Sequence, residues 1–161
     1  MSEESIRVII RIRPELNDTP EENDPQNNCL DVHIDRNMII VNRPKKGPYE
    51  FVFSQVLNTD ASQYDLYSCC EGALRSVLDG INCCIMAYGQ TGSGKTFSML
   101  GKGWEDVENS QEPIASLNLE QEDCGIIPRS VSDLFTLLES RFGSEDLEYS
   151  VRKFSVAIKL I

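Results

Sequence analysis

The sequence has no apolar run long enough to cross a bilayer, and its acidic start has the wrong charge for a secretion or import signal. The six cysteines include no C-x-x-C pair, and histidine occurs once, so the ligand spacing of zinc sites is missing. Basic residues are few: 15 Lys and Arg accompany 26 Asp and Glu, for a net charge of −11. That balance disfavours binding to nucleic acid phosphates. These absences predict a cytoplasmic protein with reduced thiols and with neither a membrane nor a nucleic acid partner.

The composition otherwise fits a soluble globular protein, with 40% apolar and 25% charged residues. A chain of 161 residues suits one domain, and we predict that residues 1–161 form one. Acidic side chains are concentrated in three stretches that predict solvated loops: residues 15–24, 105–123 and 145–148. The longest stretch without periodicity, residues 101–125, predicts a long acidic surface loop.

Hydrophobic periodicity predicts a mixture of strands and helices. Strands are expected over residues 6–12, 49–57 and 154–160, with a hairpin formed by residues 30–34 and 38–41. Helices are expected over residues 62–78 and 127–138, the first opened by a Ser62–Asp65 capping box and ended by Gly80. His33 falls on the polar face of the hairpin, where a solvated side chain is a simpler assignment than a catalytic one.

The most informative stretch is a complete G-x-x-x-x-G-K-[ST] loop, Gly89-Gln90-Thr91-Gly92-Ser93-Gly94-Lys95-Thr96. Its glycines let the backbone turn sharply and bring N–H groups against phosphate oxygens. Lys95 is expected to reach the β- and γ-phosphates, and the Thr96 hydroxyl is expected to ligate Mg²⁺. The pattern predicts a site for a magnesium-bound nucleoside triphosphate.

The segments on either side of this loop favour that assignment over a glycine-rich turn without a ligand. Residues 83–87 form a short apolar run that predicts a buried parallel strand, with Cys83 and Cys84 inside it. Residues 96–100 contain neither Gly nor Pro and can begin a helix. Strand, loop and helix therefore follow in the order that phosphate binding at a helix start requires.

Several further motifs make the chain resemble the amino-terminal half of a kinesin motor domain. Residues 87–96 are similar to the family's A-Y-G-Q-T-G-x-G-K-[ST], which is more restrictive than a generic phosphate loop. Other matches are residues 97–101 to aromatic-T-M-x-G, 125–129 to G-I-I-P-R, 11–14 to R-x-R-P, and Gln63 with Tyr67 to Q-x-x-x-Y. The resemblance covers nearly the whole chain in the right order. Residues 80–84 and 156–160 depart from the family's G-Y-N-G-T and L-E-I-Y-N.

The resemblance implies an α/β P-loop NTPase fold with a central sheet flanked by helices, present only in part. It implies ATP and Mg²⁺ as cofactors, with residues 89–96 on the triphosphate and with Arg11, Pro14 and Phe97 around the adenine. For Phe97 the alternative is an ordinary core aromatic. Residues 101–125 would be the family's loop that tunes nucleotide exchange. A microtubule partner and a place on the cytoplasmic cytoskeleton are implied as well.

Other parts that this chemistry needs are missing from the 161 residues. No apolar run ending in Asp follows the phosphate loop, and no serine-rich sensor stretch occurs, so no catalytic residue is assigned within the chain. We therefore expect a truncated form that is inactive alone, with the strand before the loop unpaired on both sides. The alternatives are a non-catalytic nucleotide-binding or interaction protein derived from a kinesin, and an unrelated phosphate-loop ATPase or kinase.

Overall fold

The computed structural model of the chain describes residues 6–14, 29–43, 46–102, 122–142 and 157–158. Within these residues the structure is mixed α/β, and the chain divides into two compact units, residues 1–61 and 62–161. The strands described in the first unit are β1 (Ile9–Arg11), β2 (Leu30–His33), β3 (Met38–Arg43), β4 (Gly47–Val52) and β5 (Gln55–Leu57). The elements described in the second are α1 (Gln63–Ser68), α2 (Glu71–Leu78), β6 (Met86–Ala87), α3 (Lys95–Leu100), α4 (Ile126–Phe142) and β7 (Ala157–Ile158).

In the first unit, β2, β3 and β4 form an antiparallel sheet. The predicted hairpin is confirmed, since β2 pairs with β3 and His33 lies opposite Met38. Its turn is a short 3-10 helix, Ile34–Arg36, followed by Asn37 with φ +50, a left-handed conformation that asparagine tolerates. Ile34 therefore belongs to the turn and not, as predicted, to the strand.

The segment predicted as one strand over residues 49–57 is two strands in two sheets, so that prediction is wrong. β4 pairs antiparallel with β3, whereas β5 pairs parallel with β1. The chain changes sheets at Phe53, whose amide donates to Asn37 O at 2.9 Å, and Ser54, whose amide donates to Val8 O at 3.0 Å. Asn37 Oδ1 also accepts from the Val56 amide at 3.0 Å. One turn residue thus anchors the chain on both sides of the crossing.

The second unit opens on the capping box predicted from the sequence. Ser62 Oγ accepts from the Asp65 amide at 3.1 Å, and the Asp65 carboxylate accepts from the Ser62 amide at 2.8 Å. The helix predicted over residues 62–78 is, however, interrupted at Cys69 and Cys70. Their thiols donate to carbonyls four residues earlier, Asp65 O at 3.2 Å and Leu66 O at 3.7 Å, while their own amides bond three residues back. The Cys69 and Cys70 amides thus leave the regular four-residue ladder, so α1 ends there and α2 starts anew.

The core of the second unit lies between α1, α2 and α4. Its buried members are Tyr67, Leu74 and Leu134, with Leu78, Leu137 and Leu138 packed against them. The helix predicted over residues 127–138 is confirmed as α4, but Phe135, predicted for the core face, is exposed, while Ile126 and Ser130 are buried. No helix in the described part of the chain is long and apolar enough to span a membrane.

The strand before the phosphate loop is shorter and more exposed than predicted. Only Met86 and Ala87 form β6, Met86 is 58% exposed, and Cys83 and Cys84 are exposed as well. The prediction of a buried strand with buried thiols is therefore wrong. An apolar run is buried in a parallel sheet only where strands flank it, and among the described strands β6 pairs with β7 alone. That parallel pairing also corrects the expectation that the strand has no partner on either side.

Several predictions fall on residues outside these ranges. They are the loop at residues 15–24, most of the loop at 101–125, the acidic stretch at 145–148 and most of the strand at 154–160. Of that last strand, Ala157 and Ile158 are described and form β7.

Candidate nucleotide-binding site

The phosphate-loop sequence joins β6 to α3, in the order that the sequence predicts. Gly92 and Gly94 have φ of +78 and +94, in the left-handed region that favours glycine. The Ser93 amide donates to Gln90 O at 3.1 Å and closes a turn inside the loop. A Cβ placed on Gly89 would lie 2.5 Å from Ser93 Oγ, so a side chain at that position would require the Ser93 hydroxyl to move. The backbone therefore curls back on itself directly before the helix.

Lys95 folds over the loop that precedes it. Its Nζ donates to Gly89 O and Gln90 O, both at 2.7 Å, and the residue is only 7% exposed. A buried ammonium group is unfavourable without acceptors, and these two carbonyls supply them. A phosphate oxygen is a charged and therefore stronger acceptor than a carbonyl. The ammonium is thus held inside the curl of the loop, where it can exchange carbonyls for phosphate.

The first turn of α3 supplies the other groups of this site. Gly94 is the N-cap and has no side chain to cap the helix, so no cap side chain competes with a ligand for the first amides. Thr96 is exposed, which leaves its hydroxyl open to a metal ion. Thr96, together with phosphate oxygens and water, would hold Mg²⁺. An ammonium, a glycine-rich backbone and one hydroxyl fit a magnesium-bound triphosphate.

The residues assigned to the adenine lie in different units of the chain. Arg11 ends β1, which is shorter than the strand predicted over residues 6–12, and its Nη2 donates to Ala61 O at 3.2 Å. Pro14 is exposed in the same unit. Phe97 lies in α3 and is 39% exposed, so its ring is not the buried core aromatic considered as the alternative. The assignment of all three residues to the adenine stays a prediction.

His33 has a partner in its own sheet. Its Nε2 lies 3.3 Å from the Asp31 carboxylate, and its side chain is 34% exposed. The sequence predicts a solvated side chain for His33, and the structure shows that its imidazole also contacts Asp31.

Residues 101–102, which follow α3, lie next to residues 123–125, which precede α4. We call residues 101–102 and 123–125 the insertion neck. Gly101 and Cys124 form an antiparallel bridge, and the Lys102 amide donates to Asp123 O at 3.2 Å. The Gly125 amide donates to Leu100 O at 3.2 Å, which ties residues 123–125 to α3.

Two glycines let the two segments of the insertion neck approach each other closely. A Cβ on Gly125 would lie 2.6 Å from backbone atoms of Leu100 and Gly101, and a Cβ on Gly101 would collide with the Asp123 carbonyl. Arg129, which lies in α4, holds the segment before that helix, since its guanidinium donates to Cys124 O and Glu122 O, both at 2.8 Å. The sequence marks the glycines and Arg129 only as family motif positions, and nothing in the pattern predicts these contacts.

The family profile described as "Kinesin motor domain" matches residues 11–159. Kinesin-like protein KIN-14P of Arabidopsis thaliana is 37% identical over 155 residues, which cover 94% of this chain and 14% of that protein. Kinesin-like protein KIN-14C of Oryza sativa subsp. japonica is 35% identical over 156 residues, again 94% of this chain and 14% of the relative. The chain thus spans about one-seventh of the length of these relatives.

A solved structure shows the same fold. The motor domain of the Kar3-like kinesin from Ashbya gossypii matches with a TM-score of 0.60 and 29% identity, over 83% of this chain and 37% of that one. The predicted fold class, a kinesin-type α/β P-loop NTPase present in part, is confirmed. The chain belongs to the kinesin motor domain family.

Proposed function

We propose that the chain is the ATP-binding part of a microtubule-based motor ATPase. The observation that supports this most strongly is the position of Lys95, whose buried ammonium donates to two carbonyls of its own phosphate loop. A buried cation held by exchangeable acceptors, inside a glycine-rich curl at a helix start, is suited to a polyphosphate. ATP and Mg²⁺ are the proposed cofactors.

Within the proposed site each group has a separate role. Lys95 binds the β- and γ-phosphates, the loop backbone binds phosphate oxygens, and Thr96 holds Mg²⁺, which supplies charge neutralisation when bound. From the motif match we propose that Arg11, Pro14 and Phe97 contact the adenine. No residue of the chain is proposed to act on the attacking water.

From the family match we propose movement along microtubules, a microtubule partner and a cytoskeletal location for the whole protein. These are proposals for the whole protein because the chain covers only 14% of the kinesin-like relatives. For the 161 residues alone we propose nucleotide binding without microtubule-stimulated turnover, since they contain neither an apolar run ending in Asp after the phosphate loop nor a serine-rich sensor stretch. A several-fold rise in ATP turnover on addition of microtubules would contradict this last point.

Titration calorimetry of the chain with ATP tests the site, with and without Mg²⁺. We expect saturable binding that weakens when Mg²⁺ is removed, and we expect Thr96→Val to abolish that magnesium dependence by removing the hydroxyl. Thr136→Val is the matched control, because the Thr136 hydroxyl donates to Ser132 O on the exposed side of α4, apart from the loop. The absence of ATP binding, or binding that ignores Mg²⁺ in the unaltered chain, would contradict the proposal.

A second candidate function is a non-catalytic nucleotide-binding or interaction protein derived from a kinesin. The exposed apolar side chains around β6 favour it, since Ile81, Met86 and Tyr88 are 53%, 58% and 73% exposed. Exposed apolar clusters mark surfaces that another protein covers. Microtubule-stimulated ATP turnover by the whole protein would exclude this candidate, and ATP binding without any turnover would favour it.

A further inference from the structure

Gln63 is a buried polar residue that contacts both the phosphate-loop helix and the insertion neck. It is the first residue of α1 and is 3% exposed. Its Nε2 donates to Phe97 O in α3 at 2.6 Å and lies 3.5 Å from Asp123 O in the neck. One side-chain amide thus joins three segments of the second unit.

The backbone of Gln63 is fixed independently of these contacts. It follows Ser62 directly, and the reciprocal hydrogen bonds between Ser62 and Asp65 hold the first turn of α1. A side chain that starts from a fixed backbone and is buried keeps few rotamers, so its amide is a stable point of attachment.

The helix that Gln63 holds is short. α3 has six residues and is about 9 Å long at 1.5 Å per residue. Phe97 O accepts the regular helical bond from the Gly101 amide at 2.9 Å and a second hydrogen bond from Gln63 Nε2. Lys95 and Thr96 are the two residues directly before Phe97 in the same helix. Because a helix of this length moves as one body, a shift at Phe97 displaces the groups that face the phosphates.

We propose that Gln63 is a positioning residue for the nucleotide. It ties Phe97 of α3 to the insertion neck, and through α3 it keeps Lys95 and Thr96 in place for phosphate and metal. The proposal rests on the proposed function of the phosphate loop. Gln63 acts through α3 and needs no contact with the nucleotide.

Gln63→Met tests this role, because methionine has a similar length and no donor for Phe97 O. The matched control is Tyr67→Phe, one helical turn further along α1, which removes a partly buried hydrogen bond to Asp133 in α4. We expect a fluorescent derivative of ADP, bound with Mg²⁺, to dissociate about tenfold faster from Gln63→Met, as the loss of one buried hydrogen bond implies. For Tyr67→Phe we expect a change below about twofold, with a comparable fall in melting temperature.

The outcomes separate this proposal from the proposed function. Equal acceleration in both variants, or an unchanged rate in Gln63→Met, would overturn the positioning role while nucleotide binding by the unaltered chain still stands. If the unaltered chain does not bind the Mg²⁺-bound derivative at all, both proposals fail.

A measurement on the unaltered chain covers the case in which Gln63→Met does not fold. Energetic coupling between two sites is reciprocal, so a nucleotide that needs α3 in this position must in turn stabilise the contacts of Gln63. We expect hydrogen exchange of the Gln63 side-chain amide and of the Gly101 backbone amide to slow at least about fivefold on binding of Mg²⁺–ADP. Unchanged exchange at both groups would overturn the proposal.

Discussion

The hydroxyl of Tyr67 donates a hydrogen bond to Oδ2 of Asp133 at 2.5 Å, and this contact joins α1 to α4. Tyr67 is buried, and it packs in the same cluster as Leu74 and Leu134. Burial raises the pKa of the Tyr67 hydroxyl well above its usual value, and the hydrogen bond to Asp133 raises it further. The polar link between the two helices therefore depends on a protonated tyrosine inside an apolar core.

Tyr67→Phe removes this hydrogen bond and leaves the ring in place. We expect the free energy of unfolding to fall by about 1–2 kcal/mol, because the Asp133 carboxylate loses a donor. Urea denaturation measures the change. Tyr64→Phe is the control, since Tyr64 lies on the same helix with 61% of its surface exposed. Equal losses in the two variants would show that the Tyr67 hydroxyl stabilises nothing in particular.

The same contact predicts a loss of stability at alkaline pH. Since the pKa of Tyr67 is raised on folding, the folded state holds its proton where the unfolded state, with a pKa of about 10, releases it. The unfolded state then binds fewer protons, so stability falls as pH rises above about 10. We expect Tyr67→Phe to be less sensitive to pH in this range than the unaltered chain. Parallel curves for the two proteins would contradict the predicted shift.

Alanine should destabilise the chain at the two glycines of the insertion neck and stabilise it at a glycine in α2. Gly101→Ala meets the Asp123 carbonyl at a φ of +100, and Gly125→Ala meets the backbone of Leu100, so each should destabilise by about 2 kcal/mol or more. Gly72→Ala in α2 meets nothing within 4 Å and should stabilise by up to about 1 kcal/mol. Thermal unfolding of the three variants checks the order. An unchanged melting temperature with alanine at both neck positions would refute the close approach of the two neck segments.

The capping box predicts a smaller effect at the start of α1. Ser62→Ala removes the acceptor for the Asp65 amide and should lower stability by about 1 kcal/mol. Ser68→Ala, at the end of the same helix, removes only an exposed bond to Tyr64 O and should change stability by less than about 0.5 kcal/mol. Chemical denaturation of the pair gives the comparison, and a larger loss at Ser68 would be inconsistent with the capping role.

Local features of the fold were predictable where one short pattern carries the information. The capping box at Ser62, the hairpin around Asn37 and the start of α3 after Gly94 follow from side-chain chemistry and from glycine conformations. The phosphate loop is of the same kind, because its spacing alone places Lys95 next to Gly94 at a helix start.

Features that depend on distant partners were not predictable. Cys83 and Cys84 look like part of a buried strand but are exposed, because burial requires neighbouring strands that the run itself does not encode. The change of sheet at Ser54 depends on a bond to Val8, 46 positions away. The break at Cys69 and Cys70, where the amides bond three residues back, is not marked by Gly or Pro, and the burial of Gln63 depends on carbonyls in α3 and the neck.

We propose that the ammonium of Lys95 binds the triphosphate, and the most direct test is Mg²⁺–ATP binding by Lys95→Met measured by titration calorimetry. Lys46→Met is the matched control, because that lysine is exposed in the turn before β4 and belongs to the first unit. We expect Lys95→Met to weaken binding at least about a hundredfold, the scale of a lost charge-assisted contact, and we expect Lys46→Met to leave it within about twofold. Undiminished ATP binding by a folded Lys95→Met chain would contradict the account.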